Sequence, residues 1–213
     1  MLKLANNSKK YWKNRSEKIA NKNIKDINDF EKRIQKEYEK QIKYIDDEIN
    51  LFMAKHVTNG KLDYAKAMKK ATKEELKDLK NEIDKFKKVY KNIDNDELQK
   101  QIAILSNNRS FTRFQVMKDK IQMKMGEISV SQIDNVEKFL SNQYLETYSE
   151  TNNIFSDYFN IKNAFETPSL DKIAPIIQYP YTGVLFSERI WKANDKLISN
   201  VIVTLTKGMV QGK

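Results

Sequence analysis

The run INDFEKRIQKEYEKQIKYIDDEINLF, residues 27–52, decides the fold. Its apolar positions Ile27, Phe30, Ile34, Tyr38, Ile42, Ile45, Ile49 and Phe52 recur at steps of three and four, which puts them on one side of an α-helix. Lys32, Lys36, Lys40 and Lys43 lie on roughly the opposite side. The period-two alternation of a half-buried strand is missing, and no proline occurs before Pro168 to break a helix. Extended to its natural limits the pattern predicts a helix from about Ser8 to His56, with Asn21 and Asn23 as points of interruption. At ~1.5 Å per residue such a helix is on the order of 70 Å long, more than one small core can cover.

Working outward, Thr58-Asn59-Gly60 is a turn, and a short helix is expected through Leu62 to Lys70. Thr72 with Glu75 reads as a capping box ahead of the stripe Leu76, Leu79, Ile83, Phe86, Tyr90. Leu98, Ile102 and Leu105 mark a further helix toward Ser106-Asn107-Asn108. Helix resumes near Phe111 with Phe114, Met117, Ile121 and Met125, and Gly126 is read as its end or a bend. Ser131 to Phe159 is expected as a separate helix. Pro168, Pro175 and Pro180 then change the texture, with a short helix over Leu170 to Ile177 that Ser169 can cap. The predicted fold is all-α, an elongated helical bundle with a long amphipathic N-terminal helix and at most a short hairpin near 179–185. The predicted division is a helical arm over 1–160 and a closing segment over 161–213.

The chain has 213 residues, 39% hydrophobic and 32% charged, low in apolar content for a compact globule. Its formal charge of +10 is uneven: residues 1–100 carry 26 Lys and Arg against 18 Asp and Glu, leaving 13 against 11 for the remainder. A basic N-terminal half suits nucleic acid or an acidic protein partner. Lys9, Lys10, Lys13, Arg15 and Lys18 are the candidate phosphate contacts, set against the alternative of a solvated helix face. The absence of cysteine excludes disulfides, thiol chemistry and cysteine-ligated zinc. No apolar run approaches the ~20 residues that span a bilayer, and the first residues lack the apolar core of a signal peptide, so residence in a cytoplasm is expected.

Residues for catalysis are few. His56 is the sole histidine and has no cysteine to activate; a structural role is expected. Asp94-Asn95-Asp96 lacks the turn glycine of a calcium loop, and the Gly208 and Gly212 pair follows a helix and lacks the lysine-hydroxyl ending of a phosphate loop. No enzyme activity, metal or cofactor is expected.

The closing stretch is the most specific: Pro180-Tyr181-Thr182-Gly183-Val184-Leu185-Phe186-Ser187-Glu188-Arg189-Ile190-Trp191. Pro180 and Gly183 make a turn, and Ser187 is read as the start of a helix. Ile190, Leu197, Val201, Leu205 and Met209 share one face of it, with Trp191 and Ile198 beside them. Packing is the common role of Phe186 and Trp191, whereas Arg189 suits a partner's carboxylate or carbonyl. Tyr11 and Trp12, near the other end, are candidates for a partner groove or for self-contact.

This segment resembles the minor head proteins of tailed bacteriophages, of the head-morphogenesis type. The resemblance rests on Pro180, Gly183, Phe186, Ser187, Arg189, Ile190, Trp191, Asn194, the Lys196-Leu197 pair and the Gly208 and Gly212 ending, with an echo in Tyr11-Trp12-Lys13-Asn14-Arg15. It departs at Tyr181, where tryptophan is expected, and longer members continue past the glycine pair into a further domain whose role is not carried over. The resemblance implies a non-enzymatic minor capsid protein that meets the portal protein, and scaffold or other head proteins, during head morphogenesis and DNA packaging or delivery. It implies the virion head as location, reached from the cytoplasm of the infected bacterium. Tyr11, Trp12, Phe186, Arg189 and Trp191 are the candidate partner contacts; direct DNA contact and oligomerisation are open. Two alternatives also stay open, a helical adaptor or scaffold of another assembly and a basic non-specific nucleic-acid-binding protein.

Overall fold

The computed structural model describes residues 2–93, 95–107, 112–161 and 165–211. Among these it is all-α: α1 (Leu2–His56), α2 (Tyr64–Ala67), α3 (Lys73–Tyr90), α4 (Asp96–Asn107), α5 (Arg113–Phe159), α6 (Leu170–Ile177) and α7 (Phe186–Gln211). The strands are β1 (Val57–Thr58) and β2 (Lys61–Leu62), an antiparallel pair with Val57 opposite Leu62. The hairpin thus sits at the Thr58-Asn59-Gly60 turn and not near 179–185. Asn59 and Gly60 have φ of 53° and 75°, the paired left-handed geometry that closes a tight hairpin. The helix expected over Leu62 to Lys70 is correspondingly reduced to α2, capped by the Asp63 carboxylate on the Lys66 amide.

Packing groups the chain into two units, and both draw on distant segments: Met1–Tyr38 with Asp134–Leu185, and Glu39–Ile133 with Phe186–Lys213. This differs from a linear cut at 160. Helices α1 and α5 contribute to both units.

In the first unit, α1 meets the second half of α5 through an interface rich in polar groups. Asn23 Nδ2 donates to Thr147 Oγ1 at 3.0 Å, and Gln143 Nε2 donates to Asn23 Oδ1 at 2.6 Å. Asn23 therefore spends its side chain on the neighbouring helix and does not compete for its own backbone, so α1 runs on unbroken. Lys22 reaches Glu146 and Glu150, whose carboxylates hold its ammonium well above the usual lysine range. Phe30 and Phe139 stack with centroids 4.1 Å apart. Ile173 anchors α6, the helix expected over Leu170 to Ile177, although the Ser169 side chain makes no cap bond.

In the second unit the first half of α5 is buried on two sides. Ile45 and Phe52 of α1, with Ile198 of α7, pack on Phe114, Met117, Ile121, Met125 and Ile128. Leu79 and Phe86 of α3, Leu98, Ile102 and Leu105 of α4, and Trp191 of α7 form a cluster with Val116 and Met123. A helix covered on more than one side needs apolar groups all round, which is why its period is faint in the sequence. Gly126 lies within this stretch as a helical residue, so α5 runs on past the end expected there and joins what reads as two helices. A β-carbon there would collide with Gln101 Oε1 and come 3.1 Å from Phe86 Cζ. The glycine permits the close approach of α3 and α4 to α5. The capping box forms as read, Thr72 Oγ1 accepting from the Glu75 amide and Glu75 accepting from the Thr72 amide.

Candidate partner-binding surfaces

The closing motif is divided between the units, Pro180 to Leu185 belonging to the first and Phe186 onward to the second. Gly183, at φ 78°, donates its amide to the Pro180 carbonyl at 2.8 Å and turns the chain into α7. The helix starts at Phe186, one residue before the expected Ser187, which lies in its first turn. Trp191 is 5% exposed and belongs to the cluster of α3, α4 and α5; it holds the helix down and presents no ring to solvent. Asn194 is buried too, its Nδ2 donating to Ser129 Oγ at 2.7 Å and Gln132 Oε1 at 3.3 Å, while Ser129 Oγ donates to the Met125 carbonyl. This polar link between α7 and α5 fixes the rotation of α7 about its axis. Phe186 is half-buried and Arg189 exposed. The motif therefore divides into anchors, Trp191 and Asn194, and a presented basic side chain, Arg189. Ser129 and Gln132 carried no signal in the sequence beyond polarity in an apolar helix.

The first unit holds the other group. Tyr11 and Trp12 face the end of α5: the Trp12 ring lies 5.0 Å from Phe155 and 4.9 Å from Tyr158, and Tyr11 lies 5.1 Å from Tyr158. Self-contact is thus realised at Tyr11 and Trp12. Beyond them the aromatic cluster continues to Phe159 and Phe165, which are 54% and 52% exposed. Asn152 clamps the backbone of Phe165, donating to its carbonyl at 2.8 Å and accepting from its amide at 3.1 Å, and Tyr148 OH donates to the Glu166 carbonyl. The high aromatic density of residues 144–165 was the sequence signal for this cluster. Lys9, Lys10, Lys13, Arg15 and Lys18 are exposed; Lys13 pairs loosely with Glu17 at 3.8 Å, and the Arg15 guanidinium sits over the Tyr11 ring at 5.4 Å.

His56 is buried at 2% exposure, stacked on Phe52, with Nδ1 2.6 Å from the Phe52 carbonyl. Since the carbonyl can only accept, that nitrogen carries the proton and the ring ties off the end of α1. It lines a cavity of about 200 Å³ with Glu75, Arg113 and Lys120, where Arg113 pairs with Glu75 at 3.2 Å and Lys120 with Glu82 at 3.0 Å. A second cavity of about 290 Å³ is lined by Tyr44, Phe86 and Lys124 among others. Burial, then Glu48, pushes the Tyr44 phenol up to about 12, so it keeps its proton. Among the described residues no three His, Cys, Asp or Glu side chains are placed to hold a metal ion, and no helix is long and apolar enough to cross a membrane. Asp94 of the acidic run lies outside the described residues, and Asn95 Oδ1 accepts from the Leu98 amide in the first turn of α4.

No protein-family model, no curated protein and no solved structure matches the chain.

Proposed function

We propose that this chain is a non-enzymatic minor head protein of a tailed bacteriophage, which joins the portal vertex and acts in head morphogenesis and in DNA packaging or delivery. The observation that carries the reading is the construction of the closing motif. Its aromatic and amide residues are spent on holding α7, and Arg189 stands exposed on the secured helix. A secured helix bearing an arginine is suited to a protein interface, because little backbone freedom remains to be lost on docking and arginine is a common interface anchor. The all-helical fold and the sequence resemblance over Pro180 to Gly212 agree with it.

Co-expression with the portal protein of the same phage, followed by size-exclusion chromatography, tests the proposal. Arg189→Ala is expected to keep its melting temperature and to lose portal retention, whereas Trp191→Ala loses both. Full retention by Arg189→Ala removes the motif from the interface, and absence of any portal complex with the native chain leaves the adaptor reading in its place. The exposed Lys9, Lys10, Lys13, Arg15 and Lys18 favour a second reading, non-specific DNA contact. It requires binding that is independent of DNA sequence, falls steeply with salt and is weakened by Lys9, Lys10, Lys13 and Lys18 changed together to glutamine.

A further inference from the structure

The exposed end of the aromatic cluster in the first unit is not explained by the fold. Tyr158, Phe159, Ile161 and Phe165 are 41%, 54%, 53% and 52% exposed. They are not loosely hung: Phe155 lies against both Phe159 and Phe165, Tyr158 OH donates to Ser8 Oγ at 3.0 Å, and Asn152 grips both backbone polar groups of Phe165. Aromatic rings fixed in place and open to water have already lost the freedom that binding would cost them.

The charges around them identify the occupant. The cations Lys9, Lys10 and Lys13 come from α1, one turn or less from Tyr11 and Trp12, whereas the exposed anions Asp157 and Glu166 come from α5 and the segment after it. A nucleic acid or an anionic lipid surface would bring phosphates against both the cations and those carboxylates. A second copy related by a two-fold axis avoids this conflict where the α1 lysines of each copy meet the exposed Asp157 and Glu166 of the other. We propose that the chain forms an isologous dimer through this aromatic end, Phe159 and Phe165 at its centre and Lys9, Lys10 and Lys13 facing Asp157 and Glu166 of the second copy. The net charge of +10 opposes association at low salt, but at physiological ionic strength repulsion beyond about 8 Å is screened and local pairing decides. Half of a large side chain is on the order of 100 Å². The centre thus supplies about 400 Å² per copy toward the ~800 Å² of a standard interface, and the charged rim supplies the rest.

Sedimentation equilibrium of the full chain at physiological salt, up to about 200 µM, is the measurement. The native protein is expected to show a monomer–dimer equilibrium, and Phe159→Ser with Phe165→Ser to weaken it at least about tenfold with unchanged helical circular dichroism. Lys9→Glu with Lys10→Glu, and Asp157→Lys with Glu166→Lys, should each be monomeric alone and form a heterodimer when mixed, because in the mixed pair both facing sets are opposite in sign. A native protein that stays monomeric overturns the proposal. So does a dimer indifferent to the Phe159 and Phe165 changes, or a failure of the two charge variants to combine. Binding of monomeric native protein to anionic phosphatidylserine vesicles or to single-stranded DNA, lost in the phenylalanine variant, would assign the patch to that ligand instead.

Discussion

Gly126→Ala tests the close packing of the second unit from both sides of its energy balance. In an exposed helix the change is favourable by about 1 kcal/mol, since alanine loses less backbone freedom than glycine. Here the new methyl overlaps Gln101 Oε1 and lies 3.1 Å from Phe86 Cζ, and both neighbours are buried. Gln101 cannot simply swing away, because its Nε2 donates to the Gln122 carbonyl at 3.2 Å. Overpacking of this kind costs about 1 to 3 kcal/mol, so the net change is a loss of about 0 to 2 kcal/mol. In a Gln101→Ala background the principal clash is gone and the same substitution should recover most of the ~1 kcal/mol helix gain, a coupling of about 1 to 3 kcal/mol, the overpacking removed. Urea unfolding followed by Trp191 fluorescence, with Trp12 replaced by phenylalanine, reads the second unit alone. Equal effects of Gly126→Ala in the two backgrounds, or stabilisation in the native one, would refute the argument.

Asn194→Ala should cost about 1 to 3 kcal/mol by stripping Ser129 and Gln132 of a buried partner, read as a lower urea midpoint with unchanged slope. Burial works against ionisation of Glu75, but the Thr72 amide and the Arg113 guanidinium outweigh it and hold the carboxyl below its ordinary range. Its folded pKa being depressed, the stability it contributes is present above the ordinary carboxylate value and is lost as pH falls through the folded one; thermal melts of Glu75→Gln should be less sensitive to acid over that window. Asp195 has the opposite sign: burial, then the charge of Glu97, raises its carboxyl. The ionised form is therefore unfavourable at neutral pH, and Asp195→Asn should raise the melting temperature at pH 7 modestly while abolishing any gain on acidification into the carboxylate range.

The helical elements were legible wherever one face is buried and the other is wet. The Thr72 and Glu75 box and the stripe after it stand in the structure, and the Ile27 to Phe52 run is helical throughout, with Ile45 and Phe52 buried but Ile27 and Ile42 about half exposed. The reading failed where a residue's use depends on a distant neighbour. Asn23 looks like a helix breaker until Thr147 and Gln143 occupy its amide, and Gly126 looks like a terminus until Gln101 and Phe86 occupy the space beside it. At the candidate surfaces, Trp191 reads in the sequence both as packing beside an apolar stripe and as a partner contact, and its burial agrees with the packing role. The exposure of Phe159 and Phe165 was not legible there, since an aromatic side chain is ordinarily buried, and it takes the Asn152 clamp and the Phe155 ring to hold Phe165 where it is.

The interleaving of chain segments also bears on how the protein is made. A ribosome delivers residues 1–38 long before 134–185, so the first stretch of α1 waits through roughly a hundred residues of synthesis for its partner helix. The two clusters of the second unit likewise stay open until α7 emerges, one awaiting Trp191 and the other Ile198. Neither unit can close until its later segment has been made. Until α7 emerges, the apolar surface of α5 that Trp191 and Ile198 cover stays open.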